Sequence, residues 1–218
     1  MNTIVVGGGW AGLAAAVHLT ARGHPVTLIE AAKALGGRAR CVSVDGFEVD
    51  NGQHLMVGAY REMLTLLATL GVDPDQAFLR LSLELEMRSP GGAPVHLRTA
   101  AAPAPLNLLL GLSGNTTLTA RERLSALFFC VKLAASRFNL REDISVQALL
   151  VRHGQQGRLK THLWEPLCIA IMNTLPHEAS AQVFLRVLGD TFSRRRSDSD
   201  LLIPRAHLGA LLPEPAAR

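Results

Sequence analysis

Cysteine is scarce. Cys41, Cys130 and Cys168 stand far apart in 218 residues, with no Cys-x-x-Cys pair. Such spacing supports neither a disulfide framework nor a zinc site, so buried free thiols in a reducing compartment are expected. Aromatic residues amount to 5%, and a net charge of +4 is spread thinly along the chain. A nucleic-acid-binding face needs a basic stripe interleaved with stacking aromatics, so no nucleic-acid partner is expected. The one dense basic run, Arg194-Arg195-Arg196, is followed at once by Asp198 and Asp200. It reads as a solvated loop, with contact to anionic lipid as the alternative.

Other signals are missing as well. The N-terminus lacks the basic start and apolar stretch with a small-residue cleavage site that mark an exported chain, so a cytoplasmic location is expected. The longest charge-free run, 99–120, is interrupted by Pro103, Pro105, Asn107, Gly111, Gly114 and Asn115, so no membrane-spanning helix is predicted. No HxxxH or HExxH spacing points to a metal, and no GxSxG elbow points to a nucleophilic serine. With 48% hydrophobic and 18% charged residues, the chain has enough apolar material for a sizeable core in one or two domains.

The informative region comes first. Thr3-Ile4-Val5-Val6 is a β-branched run that stops at Gly7-Gly8-Gly9-Trp10-Ala11-Gly12, and 13–19 reads as a helix ending near Gly23. A second strand, 25–29, ends on Glu30. The order is βαβ. Gly7 permits the tight turn, Gly9 clears a path to the backbone, and Gly12 lets helix and strand pack closely. Free N–H groups and the helix macrodipole then favour an anionic ligand such as a pyrophosphate. Glu30 stands where a carboxylate can accept both hydroxyls of an adenosine ribose, and it would repel a 2′-phosphate, which leaves NAD or FAD. A glycine motif placed after a strand, before a helix and with an acid at this distance meets the contextual test for dinucleotide binding.

After Glu30 a short segment leads to Gly36-Gly37-Arg38, which brings backbone and a cation towards the same pyrophosphate. Residues 39–44 and 47–49 alternate around Asp45-Gly46 as a β-hairpin, and Asp50-Asn51-Gly52-Gln53-His54 closes the segment. This series resembles the N-terminus of the FAD-dependent amine oxidase and phytoene desaturase superfamily. Further on, residues 163–170, 172–174, 179–184 and 199–204 look like its squalene-associated branch, the hydroxysqualene dehydroxylases.

The resemblance implies an α/β fold: a Rossmann-like βαβ unit of the glutathione-reductase type with a largely helical substrate-domain insertion. It implies an FAD-dependent enzyme of squalene and hopanoid synthesis that reduces hydroxysqualene to squalene with loss of water. FAD would be held by Gly7, Gly9, Trp10, Ala11, Gly12, Glu30, Gly36, Gly37 and Arg38, with Gly52, Gln53 and His54 approaching the isoalloxazine ring. Candidate proton donors are His54, Glu165 and Asp50. For His54 the alternative is a hydrogen bond to backbone near the cofactor, and for the Trp164-Glu165-Pro166 stretch a helix cap. The partners implied are a polyprenyl lipid and enzymes of the squalene pathway, with peripheral contact to the inner membrane as an option. A carotenoid desaturase or an amine oxidase is the alternative enzyme. Family members continue past residue 218 to a second flavin motif with a Gly-Asp pair, and Gly189-Asp190, inside a helical stretch, is not that motif. An N-terminal fragment is therefore expected, with a non-catalytic flavin-binding or partner-binding piece as the alternative of another class.

The expected division is 1–75 as part of the flavin domain, 76–200 as the substrate region and 201–218 as the start of the return. Within it, 60–70 reads as a helix stopped by Gly71. Residues 83–88 and 95–98 read as a hairpin through Pro90-Gly91-Gly92, and 106–112 as a short buried helix after a linker or, alternatively, a lip that admits lipid. Thr119 and Glu122 form a capping box for a helix to about residue 137. The stripe Leu124, Leu127, Phe128 and Val131 on that helix is expected in the core, or as a wall of a lipid tunnel. Helices are also expected at 145–153 and 179–192.

Overall fold

The computed structural model describes residues 2–52, 55–88 and 94–218. Along the chain, β1 (Thr3–Val6), α1 (Trp10–Thr20), β2 (Val26–Ile29), β3 (Cys41–Val44), β4 (Phe47–Asp50) and β5 (Met56–Val57) come first. They are followed by α2 (Arg61–Thr69), α3 (Pro74–Ala77), β6 (Phe78–Leu81), β7 (Glu84–Met87) and β8 (Val95–Arg98). The helical part holds α4 (Leu106–Ser113), α5 (Ala120–Ala135), α6 (Val146–Arg152), α7 (Glu165–Met172) and α8 (Ala181–Phe192). The chain then runs through β9 (Leu201–Pro204), α9 (Leu208–Leu211) and α10 (Pro213–Ala216). Two compact units result: Met1–Met56, Tyr60–Leu81 and Leu201–Arg218 in one, Val57–Ala59 and Ser82–Asp200 in the other.

In the first unit β1 and β2 pair in parallel, Thr3 opposite Val26 and Val6 opposite Ile29. A parallel pair requires a crossover, and α1 supplies it. The helix opens at Trp10 rather than after Gly12, so the third motif glycine lies inside its first turn. Strands β3 and β4 are antiparallel around Asp45 and Gly46, whose φ angles of 51° and 81° are those of a type I′ turn. Helix α2 ends in a Schellman motif: Gly71, at φ 77°, donates to Ala68 O, and Val72 donates to Leu67 O. Strands β5, β9 and β6 form a three-stranded sheet in that order, with β6 and β9 antiparallel. Leu13, Met56, Leu67, Phe78, Leu202 and Leu208 lie in one buried cluster that ties α1 to the returning segment. Ile4, Val6 and Ile29 leave one apolar face of the β1–β2 pair open, with Val6 81% exposed.

The second unit opens on the antiparallel hairpin β7–β8; the expected Pro90-Gly91-Gly92 connection lies outside the described residues. Val95 and Leu97 face inward, while Glu84 pairs with Arg98 at 3.6 Å and Glu86 with His96 at 3.6 Å across the outer face. Helix α5 starts in the expected capping box, with Glu122 N donating to Thr119 Oγ1 and Thr119 N to Glu122 Oε2. Its buried side is Ala126, Phe129 and Leu133, whereas Leu124, Phe128 and Val131 are exposed. The core expectation for that stripe is thus corrected. Hydrophobic spacing alone could not rank two apolar faces, and the large ring of Phe129 packs edge-on against Trp164 at 5.3 Å.

Pro166 has no N–H to donate and its ring crowds the preceding turn. The stretch Lys160–Trp164 before it widens into a π-helical turn that continues into α7, so Glu165 begins α7 in mid-helix rather than at a free end. Arg194, Arg195 and Arg196 are exposed, but the acidic tail of that run is not a solvated loop. Asp198 and Ser199 are buried in a 3₁₀ turn, where Asp198 Oδ2 accepts the Arg195 N–H and Ser199 Oγ accepts from buried Asn107.

Candidate functional site

The glycine loop between β1 and α1 is set by three close approaches. Gly7 N donates to Ile29 O at 2.7 Å, and Gly7 itself sits at φ 100°, a conformation open to glycine. A Cβ on Gly12 would lie 1.9 Å from Gly7 O. A Cβ on Gly9 would meet nothing within 4 Å. Gly12 is therefore required by packing, whereas Gly9 borders open space at the N-terminus of α1, where no side chain caps the helix.

The second glycine pair joins the first. Gly36 N donates to Gly8 O at 2.7 Å, Gly9 and Gly36 form a parallel bridge, and a Cβ on Gly37 would lie 3.2 Å from Gly9 Cα. The exposed Arg38 follows directly, making no ion pair among the described residues. Gly52 lies beside it, since a Cβ there would meet Arg38 O at 3.4 Å.

Glu30 closes the cradle from the end of β2. Its Oε2 accepts the Gly8 N–H at 2.5 Å and its Oε1 the Ala32 N–H at 2.7 Å. These backbone donors, Ala32 and then Gly8, hold the carboxyl below its ordinary value, with Arg40 adding to the effect. An ionised carboxylate accepts at about four lone-pair sites, so both oxygens keep capacity for ribose hydroxyls. The donor set fits a dinucleotide: uncapped helix N–H groups and an unobstructed approach for the anion, and a fixed acceptor for the sugar.

Gly7, Gly9, Ala11, Gly12, Glu30, Gly36 and Gly37 are thus brought together in the first unit, with Arg38 and Gly52 alongside each other. Trp10 contributes its backbone to the first turn of α1. Its indole packs against the core, where Nε1 is buried without a hydrogen-bond partner among the described residues. Gln53 and His54 lie outside the described residues. Asp50 ends β4, and its Oδ1 accepts the Leu208 N–H at 2.7 Å, which anchors the start of α9. Glu165 belongs to the second unit. Sequence reasoning missed Gly8. It hydrogen-bonds Glu30, and a Cβ there would fall 2.5 Å from Leu35 Cδ2; a third consecutive glycine that the motif does not need was the available signal.

The second unit encloses an apolar cavity of about 120 Å³ lined by residues including Leu97, Leu108, Leu112, Leu163, Trp164 and Phe192. Cys130 also lines it, and burial pushes its thiol up to about 12, so it stands there as a neutral, unreactive group. Trp164 Nε1 donates to Gln155 Oε1 at 2.9 Å, which satisfies the indole within the core. Among the described residues no helix is long and apolar enough to cross a membrane.

The chain is similar to several known proteins. It is 29% identical over 194 residues to the 15-cis-phytoene desaturase of Capsicum annuum, a match covering 86% of this chain and 33% of the relative. It is 38% identical over 73 residues to the hydroxysqualene dehydroxylase of Zymomonas mobilis, covering 33% of this chain and 18% of the relative. The chain therefore spans about a third of the length of the phytoene desaturases it matches. Cyclohexylamine oxidase from Brevibacterium oxydans has the same fold, with a TM-score of 0.66 at 17% identity over 99% of this chain and 48% of the other. The profile described as "Flavin containing amine oxidoreductase" matches residues 10–195. The chain belongs to the flavin-containing amine oxidoreductase family.

Proposed function

We propose that the whole protein is an FAD-dependent oxidoreductase acting on a polyprenyl lipid, and that this chain supplies the cradle for the adenosine diphosphate half of the cofactor. The observation that carries the reading is the open approach at Gly9, flanked by the uncapped start of α1, the Gly36-Gly37 turn and the carboxylate of Glu30. The open apolar face of the β1–β2 pair supports a further layer packed over it in the whole protein, because parallel sheets are covered on both faces.

The substrate class is supported by the apolar cavity, whose lining offers almost nothing to hydrogen-bond. Its volume is well below the roughly 300–1,000 Å³ that engulfs a drug-sized ligand, so it suits a segment of a long chain. The exposed Leu124, Phe128 and Val131 on α5, with Lys132 Nζ 4.7 Å from the Phe128 ring centre, support peripheral contact with a membrane.

The finer reading is reductive dehydroxylation of hydroxysqualene to squalene. It is supported by the identity with the Zymomonas mobilis enzyme and by the motifs at 163–184 and 199–204. Flavin, when bound, supplies the hydride. The chain's own residues exclude water and deliver a proton to the leaving hydroxyl; His54, Glu165 and Asp50 are the candidates, and Asp50 already accepts the Leu208 N–H. A second reading, carotenoid desaturation, is favoured by the coverage of the phytoene desaturase match, 86% of this chain.

Full-length protein incubated anaerobically with reduced flavin and hydroxysqualene should yield squalene. Conversion of phytoene to a coloured polyene under oxidising conditions would select the second reading, and a protein that takes up no flavin would remove both.

A further inference from the structure

The hairpin β3–β4 and the segment that returns at residue 201 build a second polar cluster apart from the glycine loop. In the antiparallel register Cys41 stands opposite Asp50 and Ser43 opposite Glu48, so all four side chains share one face and Cys41 and Glu48 are diagonal neighbours. The Asp50 Oδ1 bond to Leu208 N–H fixes the start of α9 to the hairpin, and His207, the residue before it, is carried to the same place. Donor atoms of Cys41, Glu48 and His207 all lie within 4.8 Å of one another. Glu214 Oε1 stands 3.8 Å from His207 Nε2. A Cβ on Gly209 would come within 3.0 Å of His207 Nδ1, so a glycine leaves the ring its room.

We propose that Cys41, Glu48 and His207, with Glu214 beside them, form a binding site for a divalent transition-metal ion of zinc's class. The ligand types are those that zinc takes, a thiolate, an imidazole and carboxylates, drawn from both strands of the hairpin and from the returning segment. A tetrahedral ion with ligand distances of about 2.0–2.3 Å sets its donors roughly 3.5 Å apart. Closing from the observed spacing takes side-chain rotation of two half-buried groups and one exposed glutamate.

The surroundings suit a cation. Burial, and then the carboxylates of Glu48, Asp50 and Glu214, raise the cost of a bare thiolate at Cys41, and a bound metal relieves that repulsion as the thiol proton leaves to solvent. His207 Nδ1 accepts the Ala210 N–H at 3.2 Å as the cap of α9. Coordination through either ring nitrogen gives up that bond, a small loss against metal–thiolate and metal–imidazole bonds. The bound ion would cross-link the hairpin to the returning segment.

Cobalt(II) titration of the 218-residue chain is the test. The expected result is a thiolate-to-cobalt charge-transfer band with intense visible bands of tetrahedral cobalt, displaced by zinc. Cys41→Ser should remove the charge-transfer band, whereas Cys130→Ser and Cys168→Ser should retain it. His207→Asn keeps a helix-capping acceptor while removing the imidazole, and should weaken binding at least tenfold with the circular dichroism spectrum unchanged. Absence of the band in folded protein, its survival in Cys41→Ser, or undiminished affinity in His207→Asn would each overturn the proposal. None of these readouts depends on flavin, so failure here is distinct from failure of the flavin reading.

Discussion

Two glycines three residues apart should separate folding from ligand binding if the proposed cradle holds flavin. In Gly12→Ala the new methyl carbon would sit 1.9 Å from the carbonyl oxygen of Gly7, a backbone atom fixed by its place at the end of β1. Relief requires α1 and the loop to part by roughly 1.4 Å, the gap to an ordinary carbon–oxygen contact. Overpacking of this kind costs up to about 3 kcal/mol, and the better helix propensity of alanine returns about 1, leaving a net loss near 2 kcal/mol. For a chain of this size that lowers Tm by about 4–8 °C. In Gly9→Ala the added carbon meets nothing within 4 Å and the backbone is at φ −73°, which alanine adopts freely. The weaker helix cap and the smaller unfolded-state entropy oppose one another, each under about 1 kcal/mol, so Tm should stay within about 3 °C of the parent. In the proposed cradle the methyl would stand in the path of the pyrophosphate, so Gly9→Ala should lose flavin while remaining folded. Thermal denaturation of the chain and flavin absorbance of the purified whole protein read the two effects. An unchanged Tm in Gly12→Ala, or full flavin content in Gly9→Ala, would refute the division of roles.

Further outcomes follow from other contacts. Glu30→Ala should weaken flavin binding at least tenfold, read by fluorescence titration of the full-length protein, because it removes the proposed ribose acceptor and frees the Gly8 and Ala32 N–H groups. Since the folded-state pKa of Glu30 is lowered, its stabilisation is present above the ordinary carboxylate range and is lost as pH falls through the folded value. Melting curves of Glu30→Gln should therefore converge with those of the parent at acid pH. His153 is held below its ordinary value by burial and then by Lys132 and Arg152, so its neutral form is favoured in the fold. Stability should fall as pH drops from about 6.5 through its folded-state value, and His153→Gln should flatten that slope in urea denaturation. Trp164→Phe should cost about 1–3 kcal/mol by leaving Gln155 Oε1 buried and unpaired, and a smaller loss in the Gln155→Leu background would confirm the coupling.

Local order was readable from the sequence wherever a residue type has a backbone consequence of its own. Asp45-Gly46 dictates a type I′ turn, Gly71 a helix stop, Thr119 and Glu122 a capping box, and β-branched runs around a glycine cluster the βαβ order. The glycine loop on which the proposed cofactor cradle rests was legible for the same reason, because Gly7, Gly9, Gly12 and Glu30 are spaced by the chain's own geometry.

Only the tertiary structure decided what depends on distant neighbours. Which apolar face of α5 is buried followed from where Trp164 lies; spacing could not choose between Phe128 and Phe129. Within a charged run, buried Ser199 met buried Asn107, 92 residues away. Asp50 met Leu208 across 158 residues of chain and brought His207 to Cys41. Turns, caps and glycine loops are specified by residues a few positions apart, whose dihedral preferences are intrinsic. Partnership between remote side chains has no local energetic signature, because it forms only when packing has brought their segments together.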